Sequence, residues 1–290
     1  MFKSVQQRVW VFDLEWVPDP LAGRLVYGLG DDGSDPETIM DRMWREGGAT
    51  EDDPTPFLKT VLCRVVSVAA VERRTGPDGR VSLALVSLPH DVDNPAETTE
   101  TAVVGAFLDA LGSKRPQLVG FNSHQSDLKI LIQRGVILGL AAAGFCDRPD
   151  KPWQGIDYFA RASDWNIDLK DIVGGWGLVN PSLHEIAVQC GIPGKMEIDG
   201  NAVARLWLDG QLDRIVQYNE FDTLTTYLVW LRVAHFAGHL SGAAYADEQQ
   251  RVAELIAAEI EGGRRHLQRY LDEWQRLRAL IAEREKEDQT

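Results

Sequence analysis

VWVFDLEWV, residues Val9 to Val17, sets two acids, Asp13 and Glu15, into an otherwise apolar and β-rich run. Residues two apart in a strand point to one face, so these carboxylates project together while Phe12, Leu14 and Trp16 face the other way. Like charges side by side repel, and burying them costs several kcal/mol, unless a cation joins them. No Lys or Arg stands within three residues of either acid. The economical partner is a pair of divalent metal ions, which points to phosphoryl chemistry. The plainer alternative is an exposed polar face on an edge strand.

Two later stretches add to the pattern. VGFNSHQSDLKIL (Val119–Leu131) places Asp127 where a short apolar strand runs through Asn122 into a helix. QYNEFDTLTTYLVWL (Gln217–Leu231) places Tyr218 and Asp222 four residues apart, on one helical face. Alone, the Tyr–Asp pair suits a helix surface, and Ser126 or Asp127 suits a helix cap. The set is more specific than its members, because the three motifs follow in order with about a hundred residues between successive ones.

Around these motifs the chain reads as strand, hairpin, helix, strand, helix. Val9–Trp16 is the first strand. Cys63–Val71 and Val81–Leu88 flank TGPDGR as a hairpin. Helices are expected at Thr98–Leu111 and Gln125–Leu140, with a short strand at Leu118–Phe121. Ala141–Trp165 reads as irregular and Asn166–Val173 as a further strand. Short helices at Ser182–Cys190 and Asn201–Leu208 precede a long apolar one at Leu212–Phe236. This order predicts an α/β fold, a mixed sheet flanked by helices, with its site at the carboxyl end of strand one.

Two segments stand apart. Residues 21–56 are polar and rich in Gly, Asp and Pro, and read as an insertion holding one short helix near Glu37–Glu46. Long insertions of this kind often serve as flaps over a substrate, or are simply solvated loops. Beyond His239, apolar residues recur at three- and four-residue spacing on both sides of Gly262–Gly263, which reads as a two-helix tail. The expected division is 1–240 for the main domain and 241–290 for the tail. The tail would pack on the domain, self-associate or meet a partner.

Composition bounds the function. The formal net charge of −14 across 290 residues argues against a generic histone-like binder of nucleic acid, but bound metals and local basic patches can offset it. The three cysteines are isolated and show no CxxC spacing, which offers no zinc site and suits a reducing cytoplasm. No run approaches a membrane span, and the acids interrupt any secretory-type amino terminus. GLGDDGSD lacks the spacing of a calcium loop, His184–Glu185 lacks a second zinc histidine, and no GxSxG elbow is present.

The three motifs resemble those of the DEDD superfamily of 3′–5′ exonucleases, in its tyrosine-containing branch. The flanking text is most similar to the proofreading exonuclease domain of family B DNA polymerases. FDLEW corresponds to its first motif, GFNSHQSD to its second and YNEFD to its third, while NIDLKDIV and SLHEIAVQCGIPGK resemble the intervening segment. Ser126 departs from the aromatic residue common before the second-motif aspartate. Gln217 stands where the histidine branch would place its histidine. The resemblance covers Val9 to Arg232 and leaves no room for polymerase palm or fingers, so it implies a free-standing exonuclease of ribonuclease H-like fold with a helical extension.

What the resemblance implies is a two-metal phosphodiesterase, with Mg²⁺ or Mn²⁺ ions roughly 3.5–4 Å apart held by hard carboxylate oxygens. Asp13 would bridge both ions, Glu15 and Asp222 would complete the nucleophile side, and Asp127 would hold the leaving-group side. Tyr218 would orient the attacking water. Leu14, Trp16, Phe121 and Asn122 are candidates for contacts with terminal nucleotides or simply core and turn residues, and Lys129, Arg134, Lys195 and Arg205 are candidates for phosphate contacts or solvated charges. The expected substrate is single-stranded DNA, cleaved from its 3′ end, with a repair or replication partner as a further expectation. RNA is the alternative substrate. A non-catalytic nucleic-acid-binding protein of the same fold is the rival class, disfavoured because all four acids and the tyrosine are present.

Overall fold

Asp13 lies in β1 (Arg8–Pro18), an alternating apolar strand bordered on both sides by other strands. The structure is a computed structural model and describes the chain apart from residues 30–32, 161–162, 176–178, 197–199 and 288–290, and apart from the side chains of 200–201 and 284–287. After β1 come α1 (Pro20–Tyr27) and α2 (Pro36–Glu46), then β2 (Cys63–Thr75) and β3 (Val81–Leu88). Next are α3 (Glu100–Lys114), β4 (Gln117–Gly120), α4 (Asp127–Ile137) and the single turn α5 (Ala143–Cys146). The strand β5 (Asn166–Asp168) leads into α6 (Leu169–Gly174), α7 (Leu183–Gln189), α8 (Gly200–Leu208) and α9 (Leu212–Phe236). The chain closes with α10 (Gly242–Glu261) and α11 (Leu267–Glu287).

The strands run β3-β2-β1-β4-β5, antiparallel on the hairpin side and parallel from β1 through β4 to β5. This is a mixed sheet of ribonuclease H-like topology. Alternation along β1 sorts its side chains between two layers. Val9 and Val11 enter a core with α9, α10 and α11, whereas Trp10, Phe12 and Leu14 pack against α3 and α4. Asp13 and Glu15 continue the α9-facing row, so the strand's own period carries the acids to the long helix.

Opposite Glu15 and Trp16 the ladder slips, for Glu15 pairs with Ser67 and Trp16 with Val65. Val66 is therefore the extra residue of a bulge on β2, a device that re-aims side chains beside functional sites. Val66 packs in a small cluster with Val17 and Tyr218, and Ser67 reaches Asn219 on α9.

Two expectations change. The segment 21–56 carries two helices, because Asp19 and Asp35 each cap a helix that begins with proline. The prolines that read as loop mark helix starts. The stretch Asn166–Val173 is strand only to Asp168, whose carboxylate accepts from the Lys170 N–H and starts α6. Of the readings open for the tail, packing on the domain is the one observed: Val252, Ile256, Leu267, Tyr270 and Trp274 are buried with Phe221, Tyr227 and Trp230 of α9. The tail's inner face also holds a buried ion pair, with Arg73 Nη2 2.6 Å from Glu248 and Tyr227 Oη donating to the same carboxylate. Part of GLGDDGSD, at 30–32, lies outside the described residues.

Candidate active site

Three elements deliver the acids. Asp13 and Glu15 come from β1, Asp127 from the first turn of α4, and Asp222 from α9. Carboxylate oxygens of Asp13, Glu15 and Asp222 all lie within 4.8 Å of one another. Asp127 joins from the opposite layer, where it accepts from the Leu14 N–H of β1 and raises the proton affinity of both Asp13 and Glu15.

The approach of Asp127 depends on a tight loop. A Cβ at Gly120 would fall 2.6 Å from that of Ser123, so only glycine lets the chain fold back there. Asn122 then adopts a left-handed conformation, φ 68°, which asparagine tolerates better than most residues. Buried Asp168 holds the loop by accepting from the N–H groups of Asn122 at 2.8 Å and His124 at 3.0 Å. His124 and Asp171 stand beside it, with ligand atoms within 4.8 Å, yet the oxygens of Asp168 are taken by backbone donors.

Burial is the leading cause of every carboxyl shift in the cluster. It pushes Asp13 and Glu15 well above the ordinary carboxylate range, with neighbouring acids adding to the effect. Asp127 rises to about 7 despite its backbone donors, and Asp222 to about 6 despite a hydrogen bond from Tyr218 and the field of Lys195. Tyr218 is itself held far above its usual value by burial and then by the acids, so it is a phenol that donates to Asp222. Four hard oxygen donors, with Lys195 the cation whose field reaches Glu15 and Asp222, fit divalent metal ions.

Asp13, Glu15 and Asp222 open into a cleft of about 260 Å³ whose walls include Leu14, Trp16, Tyr218, Trp44 of the insertion, and Thr55 through Leu58 at and just beyond its end. Exposed Phe57 meets half-buried Trp16 edge to face, with centroids 6.2 Å apart. Of the candidate nucleotide contacts, Leu14 and Trp16 line this cleft. Phe121 packs toward the α9 core, and the Asn122 side chain bonds Ser126 and Lys170 within its own loop.

The candidate phosphate contacts also divide. Arg134 is buried and bonded to both oxygens of Glu100 at 2.6 Å and to Asp19 at 2.9 Å, which removes it from the list of phosphate ligands. Arg205 pairs with Glu37 and Asp209, and Lys129 is exposed beside His124 and Gln125. Lys195 lies nearest the acids in effect, its backbone N–H donating to His184 Nδ1 at 3.0 Å.

Sequence reasoning missed Asn219. Its Nδ2 donates to Asp13 Oδ2 at 2.7 Å while its Oδ1 accepts from Ser67. Three residues before Asp222 on one helix, it shares that face and was open to discovery by spacing. The Phe57 wall had no such signal, since it depends on how the segment after the insertion folds back over Trp16.

The structure is similar to that of the family B DNA polymerase from the hyperthermophilic archaeon Pyrobaculum calidifontis, with TM-score 0.46 and 18% identity, over 79% of this chain and 24% of that one. The chain thus spans about a quarter of that polymerase's length. No curated relative matches it. A sequence family described as a predicted 3′–5′ exonuclease related to the exonuclease domain of PolB matches residues 55–274, which include Asp127, Tyr218 and Asp222 and begin after Asp13 and Glu15. That span is most of the chain, and the chain belongs to this family of predicted 3′–5′ exonucleases.

Proposed function

We propose that this protein removes nucleotides from the 3′ end of single-stranded DNA by metal-assisted phosphodiester hydrolysis. The grouping of Asp13, Glu15 and Asp222 on one cleft, with Asp127 close enough to raise the proton affinity of Asp13 and Glu15, carries the reading. Kinship with the PolB exonuclease domain supports DNA as the substrate class. Two divalent ions, when bound, would supply a water of lowered pKa and neutralise charge on the attacked phosphate.

The chain's own residues do the rest. Asp13, Glu15 and Asp222 would hold the ions from the α9 side of the sheet, and Asp127 would contribute from α4. Asn219 fixes the Asp13 carboxylate. Tyr218, protonated and donating to Asp222, would be placed to offer a hydrogen bond to an attacking water. Lys195 sets a positive charge beside Glu15 and Asp222, where an incoming phosphate would lie. Trp16 and Phe57 flank the cleft with aromatic faces suited to unpaired bases.

The test is digestion of 5′-labelled single-stranded DNA and matched RNA with Mg²⁺, Mn²⁺ or EDTA, beside Asp13→Ala. A metal-dependent ladder shortening from the 3′ end, absent in the variant, is expected on DNA. A ladder on RNA alone would reassign the substrate. Cleavage retained by the folded variant would refute the site.

A further inference from the structure

Lys195, whose field reaches Glu15 and Asp222, stands on no helix or strand. It lies in the loop that follows α7. An exposed lysine on a loop samples many conformations, and holding its charge over a site costs entropy. Here the residue is exposed, yet the four before it, Gly191 to Gly194, are all buried. Their backbone is tied down from two helices.

The first tie comes from α7. His184 Nδ1 accepts from the Lys195 N–H at 3.0 Å, which puts the imidazole proton on Nε2. The loop lies directly on the ring, for a Cβ at Gly194 would collide with Nδ1, and only glycine lets the backbone come this near. The start of α7 is pinned in turn by a capping box, formed by Ser182 and Glu185 on either side of His184.

The second tie comes from α9. Buried Thr225 donates from Oγ1 to the Pro193 carbonyl at 2.9 Å, and Tyr270 Oη of the tail meets the same hydroxyl at 3.1 Å. Thr225 is three residues past Asp222 on one helix, so the loop and the acid share a frame. Together the two ties fix the backbone from which the Lys195 ammonium reaches.

We propose that His184 is a positioning residue of the nuclease: with Thr225 as its second support, it holds the Lys195 ammonium where a substrate phosphate meets the acid cluster. The inference rests on the exonuclease reading above and gives His184 and Thr225 roles within it. A lysine held in place contacts phosphate with less entropy lost at binding, which is preorganisation.

The full chain is assayed on 5′-labelled oligothymidylate or oligouridylate, whichever it cleaves, with Mn²⁺ across a salt series. His184→Leu keeps bulk and removes the acceptor, whereas His184→Asn keeps an oxygen about where Nδ1 stands. The leucine variant should lower kcat/KM by about fivefold, the worth of one hydrogen bond. It should also flatten the salt dependence, as Lys195→Met should to a greater extent. The asparagine variant should restore most of both. Added to Lys195→Met, His184→Leu should change nothing further, because it acts through that lysine. Melting temperatures are read first, and Thr225→Val, on another helix, supplies the same comparison should the leucine disturb the fold. Wild-type kinetics in His184→Leu and Thr225→Val, an equal further loss in the Lys195→Met background, an unaltered salt slope, or no rescue by asparagine would overturn the proposal. An unaltered chain that cleaves neither oligonucleotide would instead fell the exonuclease reading, and this inference with it.

Discussion

The Asp13 carboxylate is fixed by Asn219, which is fixed in turn by Ser67 of the bulged strand. Partners of this kind orient a metal ligand without touching the metal. Asn219→Ala should weaken Mn²⁺ binding by about tenfold or more, read by calorimetric titration, with a smaller effect on melting temperature. Unchanged affinity would leave Asn219 a packing residue. Asp13→Asn should abolish cleavage and raise the melting temperature in EDTA near neutral pH, because it removes one of several buried, mutually repelling acids. A lower melting temperature there would contradict the electrostatic account. Tyr218→Phe should slow turnover less than loss of Asp13, and an equal loss would give the phenol a larger role. The proton balance follows from the same cluster. In the metal-free native state Asp127 keeps its proton up to about 7 and Asp222 up to about 6, whereas in the unfolded chain both titrate near 4. Between those values the native state binds more protons at these two groups, so their contribution to stability is fully present below about 4 and is lost as pH rises toward about 7. Melting in EDTA should trace that fall, and Mg²⁺ should offset it increasingly as pH rises. A flat profile in EDTA would show that the acids do not carry these shifts.

At the scale of elements, the site is assembled by one strand, one bulge and one loop. Asp168→Ala would strip acceptors from the N–H groups of Asn122 and His124 and loosen the loop that leads to Asp127. The expected cost is about 1–3 kcal/mol in denaturant unfolding, with a fall in turnover as Asp127 loses its place. Full activity at reduced stability would confine Asp168 to a structural role. The alternation of β1 and the four-residue step from Tyr218 to Asp222 are local periodicities, so the sequence displayed both. The length of α9 was legible for the same reason. The bulge at Val66 was not, since it exists only in the register between β1 and β2. The buried ion pairs of Arg134, which stood in the sequence as a candidate phosphate contact or a solvated charge, were not legible because its partners, Asp19 and Glu100, are 115 and 34 residues away. Helix α1 escaped notice because its prolines and glycine read as loop until Asp19 is seen capping its first turn.

Across the whole molecule, the tail completes the core that carries α9. Tyr270 stacks on Phe221, the neighbour of Asp222, at 5.8 Å, and His266 bonds Glu220 within the same turn of α9. Removing residues 241–290 would uncover this core and leave Arg73 buried without Glu248. The truncated protein should fail to fold, and Glu248→Gln in the full chain should cost about 3–5 kcal/mol, measured by urea unfolding. A soluble, active truncation would show that the tail is an appendage after all. The same ion pair bears on biosynthesis. Arg73 and Glu248 lie 175 positions apart, so a ribosome finishes the sheet's second strand long before it adds the acid that neutralises it. The emerging polypeptide would hold an unmatched guanidinium where the interior should close, and contacts this distant in sequence are slow to form. Stalled nascent chains should therefore stay protease-sensitive until α10 and α11 have left the exit tunnel, a property that would let a cell clear interrupted products of this nuclease before they acquire a working site.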